Sequence, residues 1–263
     1  MNPMADSTIS EGDPGTPQGT LGILVAGTTG PNEGATKNRA LLKFDLASGI
    51  SSNAEVTSAT LTVTVVSVSP LVTNLWFSLR KVAADWSEAA STWTNRLLPS
   101  VPWIAPGGDF AISVTQSNLI TGVGTFTFSS NPGMVADVQD WVRAPAGNFG
   151  WILLCELEDL EKSIRKFGSR EYSSNGARPT LEVQFNPQPP PLTLTLLPMT
   201  NGLFQFQFNT ESNRSYTVEC VGDLPAMNWS VLTNIAPLPA PANVLVSDPL
   251  FSDSNRFYRV RTP

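Results

Sequence analysis

The run from Ala54 to Val68 limits the fold more than any other part of the chain. β-Branched residues dominate it, and from Leu61 onward apolar side chains alternate with polar ones. Alternation of period two places one face of a long strand in a core, and branched side chains suit a pleated surface. Such a strand requires neighbours and a covering layer. Residues 1–19 are polar and rich in glycine and proline, so the first expected strand is Leu21–Ala26. In the next, Ala40, Leu42, Phe44 and Leu46 alternate with Arg39, Leu41, Lys43 and Asp45, the pattern of a half-buried strand. Asn74–Val82 is expected to pair back on the long strand, and FAISVTQ and VGTFTFS flank a turn near Gly122.

A helix is predicted after Asn131, a capping residue followed by Pro132, with Met134, Val135, Val138, Trp141 and Val142 on one face. Phe149–Leu157 is apolar enough for burial on both faces. Ile164–Glu171 and Arg178–Phe185 complete the strands of this part. The expected class is all-β: an antiparallel, jelly-roll-like β-sandwich with one short helix.

Composition changes at Asn186, where NPQPPP begins. The division expected is a sandwich over 1–186, a proline-rich linker at 187–191 and a second, smaller immunoglobulin-like or fibronectin type III-like sandwich over 192–263. That last part offers LTLTLL, LFQFQFN, RSYTVEC, WSVL, NVLVSD and RFYRVR as strands. Cys155 and Cys220 fall in different parts and read as separate buried thiols.

Several function classes are excluded or weakened by composition. Histidine is absent, which removes imidazole bases, histidine-dependent nucleophile pairs and histidine-ligated zinc. A net charge of −6 and scattered basic residues argue against nucleic acid. No stretch has the roughly 20 apolar residues of a membrane helix, and MNPMADSTIS lacks the apolar centre of a signal peptide.

Three of the seven tryptophans fall in the 19 residues from Asp85 to Trp103, among small, polar and proline residues. This reads as a long ordered connection pinned by its indoles. With ADSTISEG, NRALLKFDL followed by EVTSATLTV, VQDWVR with GNFGW, and FGSREYSSNGARPTLEV, the run Trp86–Arg96 resembles the bacterial and archaeal DNRLRE domain family. The resemblance implies a β-sandwich of secreted or surface proteins, similar to carbohydrate-binding modules. It therefore implies an extracellular, non-catalytic protein whose partner is a polysaccharide.

Within the tryptophan run, Trp86, Glu88 and Trp93 are read as structural, the indoles filling the end of the sandwich and Glu88 holding backbone amides. Arg170, Glu171 and Arg178 are read as an ion-pair network closing the last hairpin. The ligand-binding candidates are Trp76, Trp103 and Tyr172, for ring stacking, and Arg165 and Lys166. With Lys162 and Arg170 the last two form a basic cluster suited to an acidic polysaccharide, although Glu158, Asp159 and Glu161 lie beside it and could neutralise it. No cofactor is expected. Structural calcium stays open, with Asp6, Asp13, Asp45 and Asp109 as available carboxylates. The alternative is a subunit of a surface layer or fibre that self-associates by strand addition; an enzyme acting on polysaccharide ranks third.

Overall fold

A computed structural model of the protein describes residues 1–69, 74–187, 192–199, 202–225, 227–249 and 255–262. The chain divides into two compact units, Met1–Pro189 and Pro190–Pro263. Of the expected linker 187–191, all but Pro187 lies outside the described residues.

The first unit contains β1 (Ala5–Ser10), β2 (Ile23–Thr28), β3 (Lys37–Lys43), β4 (Glu55–Val68), β5 (Leu75–Lys81), the short β6 (Asn95–Leu97) and β7 (Val101–Pro102), β8 (Gln116–Ile120), β9 (Gly124–Phe128), helix α1 (Pro132–Arg143), β10 (Trp151–Cys155), β11 (Arg165–Gly168) and β12 (Thr180–Asn186). All pairings are antiparallel. One layer has β1 and the end of β2 on β3, followed by β10, β5 and β8. The other has β2, β11 and β4, with β12 and β9 also on β4.

Strand β2 belongs to both layers. Ile23–Ala26 match Gly168–Arg165 of β11, and Gly27 and Thr28 then match Asn38 and Lys37 of β3. The change of partner falls on Gly27, at φ +103°, where an added Cβ would stand 2.7 Å from the Ser163 carbonyl oxygen. Only glycine takes that backbone conformation and that approach without strain.

Between the layers lies one apolar core that includes Leu42, Phe77 and Leu153 from one side and Leu61, Val63 and Phe167 from the other. Phe77 and Phe167 meet edge to face at 5.9 Å across the gap. The helix adds Met134, Val138, Trp141 and Val142. Its start follows from the sequence: the Asn131 side chain accepts the Met134 amide at 2.7 Å, and Pro132 occupies the first turn, where no amide is needed. Gln139 ties it to the sheet, accepting the Val56 amide and donating to the Ala54 carbonyl.

The all-β sandwich is as expected, and four local features differ. The first strand is ADSTIS, with Asp6, Ser7 and Thr8 buried; Thr8 Oγ1 accepts the Val25 amide and Asp6 Oδ2 the Arg170 amide, so polarity did not prevent burial. Strand β5 pairs with β10 and β8, not with the long strand β4. FAISVTQ is irregular up to Gln116, with Ile112 exposed, and β8 and β9 attach to different layers. Leu41, expected to face solvent, is fully buried because both faces of β3 are covered.

The second unit has β13 (Thr195–Leu196), β14 (Leu203–Asn209), β15 (Tyr216–Val221), β16 (Ser230–Ile235), β17 (Asn243–Pro249) and β18 (Phe257–Arg261). They form two three-stranded sheets, β13-β14-β17 and β16-β15-β18. Phe206, Phe208, Tyr216, Val218 and Val246 make its own core. Cys155 and Cys220 are free and buried, one in each unit.

Candidate functional site

The connection from β5 to β8, which carries the tryptophan run, lies on the outer face of the first layer. Trp86, Trp93 and Trp103 pack there with Ile9, Leu41, Val82, Ile152 and Leu154, a cluster separate from the interlayer core. The indoles thus roof a sheet face; they do not fill the end of the sandwich. Their N–H groups are satisfied, Trp86 donating to the Phe149 carbonyl and Trp103 to the Thr92 carbonyl, as burial demands. Arg39 on β3 clamps the roof. Its guanidinium donates from Nε and Nη2 to the two oxygens of Glu158 and from Nη1 to the Gly107 carbonyl, each at 2.7 Å, and lies against the Trp93 and Phe110 rings.

The roof covers part of the face and leaves the rest open. On β5, Leu75, Phe77 and Leu79 enter the core, so Trp76, Ser78 and Arg80 point outward. Trp76 is 51% exposed. Beside it Glu156 donates its amide to the Trp76 carbonyl, and its side chain accepts the Ser117 hydroxyl. Glu156 also lines a depression of about 550 Å³, together with Lys37, Arg80, Phe110, Val114 and Asp159. Arg80 donates to the Ile112 carbonyl, and its Nε is buried without a partner. Arg80 and Glu156 were missed as candidates. Strand parity could have found both, since each shares the outward face with Trp76.

The remaining candidates are scattered. Trp103 is 3% exposed and Arg165 fully buried, so neither presents a surface to a ligand. Burial holds the Arg165 guanidinium below its usual pKa. Tyr172 is half-buried, and its carbonyl accepts Arg178 Nε. Lys166 is exposed on β11, on the outer face of the other layer, because its neighbour Phe167 enters the core. With Lys162 it lines a groove of 570 Å³ beside Val25, Asn32, Glu33 and Ser67. Trp76 and Lys166 therefore belong to different faces. Of the acids near the basic cluster, Glu158 pairs with Arg39 and Asp159 with Lys37.

Arg170 and Glu171 do form a network, with Glu88 in the place expected for Arg178. Arg170 Nε lies 2.5 Å from Glu171 Oε1 and 3.0 Å from Glu88 Oε1. Glu88 holds a backbone amide as expected, but it is that of Asp6 on β1, at 2.9 Å. Asp6 Oδ2 accepts the Arg170 amide at 2.8 Å, and Oδ1 is buried without a partner. Burial, reinforced by the charges of Glu171 and Glu88 and opposed by the Arg170 amide, pushes the Asp6 carboxyl up to about 7. Of the other acids weighed for calcium, Asp109 accepts the Ile104 and Ala105 amides and Asp45 accepts the Ser48 amide.

Residues 1–101 match the model of carbohydrate-binding module family 96. The matched stretch includes Trp76, Arg80, Trp86, Glu88 and Trp93 and stops short of Lys162, Lys166, Arg170 and Glu171. No curated protein matches the chain.

Proposed function

We propose that the first unit is a non-catalytic, extracellular polysaccharide-binding module whose ligand lies on the open part of the outer sheet face. The observation that carries this reading is Trp76, an indole half exposed on a regular strand beside a polar depression. An exposed indole offers an apolar face to the C–H face of a pyranose ring, while Arg80, Lys37 and Glu156 stand where hydroxyl groups need partners. The match to a carbohydrate-binding family over this stretch supports it. Glu158 and Asp159 are already paired with Arg39 and Lys37, which speaks against an acid pair for hydrolysis.

A second reading places an acidic polysaccharide in the groove of Lys162 and Lys166. It is favoured by those lysines having no ion pair among the described residues. Assembly by strand addition has less support, since β1 is already paired with β3 over six residues. The second unit is read as a small immunoglobulin-like spacer.

Affinity electrophoresis in gels of neutral glycans and of polyuronates tests these readings. Retention lost in Trp76→Ala, with the Tm unchanged, supports the first. Retention on polyuronates alone, lost when Lys162 and Lys166 become alanine, replaces it with the second. No retention in any gel sinks both.

A further inference from the structure

Asp6, Glu88 and Glu171 come from three distant parts of the sequence: the first strand, the tryptophan-rich roof and the connection from β11 to β12. One carboxylate oxygen of each lies within 4.8 Å of the other two. Three ionised carboxylates around the single guanidinium of Arg170 leave two negative charges uncompensated. Asp6 is fully buried, and its Oδ1 has no partner. A buried carboxylate oxygen in that condition needs a cation or a proton.

We propose that Asp6, Glu88 and Glu171 bind one divalent cation of the calcium type. The donors are all hard oxygens, without nitrogen or sulfur, which suits calcium over zinc or copper. Their irregular placement also favours calcium, since magnesium demands near-ideal octahedral geometry. Arg170 Nε engages Oε1 of Glu88 and of Glu171, and Glu171 Oε2 has only a long 3.3 Å contact with the Ser169 hydroxyl. Each glutamate thus keeps an oxygen for the ion. Glu88 and Glu171 are partly exposed, which gives the ion a route in. Binding would lock β1, the roof and the last connection together. The raised pKa of Asp6 is the same unmet need seen without the ion, met there by a proton.

The test uses the full chain, freed of metal with a chelator and then titrated with calcium chloride, read by thermal denaturation and by calorimetry. A saturable rise in Tm is expected, with one ion bound per chain, and a weaker response to magnesium chloride. Both Asp6→Asn and Glu171→Gln should abolish the rise. Glu171→Gln, at a partly exposed position, serves if Asp6→Asn fails to fold. A Tm indifferent to calcium overturns the proposal, leaving a proton on Asp6 as the answer. An equal rise in wild type and both variants overturns it as well, because the ion then binds elsewhere.

Discussion

The guanidinium carbon of Arg39 lies 5.1 Å from the centre of the Trp93 ring, while two of its nitrogens reach the two oxygens of Glu158 at 2.7 Å. One side chain on β3 therefore fastens the tryptophan-rich roof to the turn after β10. Lysine cannot repeat this, since it lacks the planar fork. Arg39→Lys should lower the stability of the first unit by about 1–2 kcal/mol, measured by urea denaturation, with Glu158→Gln showing a comparable loss.

Trp86 and Trp93 lie within the roof cluster, 4% and 7% exposed. Trp86→Ala or Trp93→Ala should destabilise the first unit by about 3–5 kcal/mol, the usual cost of emptying a large buried aromatic site. Loss of fold should come before any loss of glycan retention. A folded variant that merely stops binding would move the ligand onto the roof.

Trp76 presents the opposite case. With half its surface in solvent, Trp76→Ala should change the Tm by little, within about 1 kcal/mol in stability terms. Its effect should appear in retention on glycan gels.

Asp6 makes stability depend on pH in an unusual direction. Its folded pKa is raised from 3.8 to about 7, so between these values the folded protein keeps a proton that the unfolded chain releases. Stability held below about pH 4 is then lost as pH rises, and the loss is complete above about pH 7. Denaturation with chelator present should show this slope, and Asp6→Asn should flatten it.

At Gly27 the prediction is steric. Gly27→Ala meets both a positive φ and the Ser163 carbonyl at 2.7 Å, and it should cost more than the roughly 1 kcal/mol of an ordinary backbone mismatch. Thermal denaturation reads this directly.

Much of the fold was legible because alternation reports burial without reference to partners. Ala54–Val68, the Asn131 cap and the apolar run at β10 all carried their own signal. Partner choice did not, since β5 offers two faces and two edges that several strands could satisfy. Leu41 was misread for a related reason: whether an outward leucine is solvated depends on a segment more than 40 residues later in the chain. The cluster of Asp6, Glu88 and Glu171 was beyond reach in the same way, because pattern marks each acid singly and only the closed sandwich brings them together.

The roof has one more effect. Ile152 and Leu154 on β10 are greasy and sealed, whereas Trp76 on the adjoining strand lies in the open. A single sheet surface is thus part interior and part landing ground, and Phe110, packed on the roof and bordering the depression, stands at the shoreline. The span of an irregular connection, rather than the sheet itself, sets how much room is left for whatever comes to rest there.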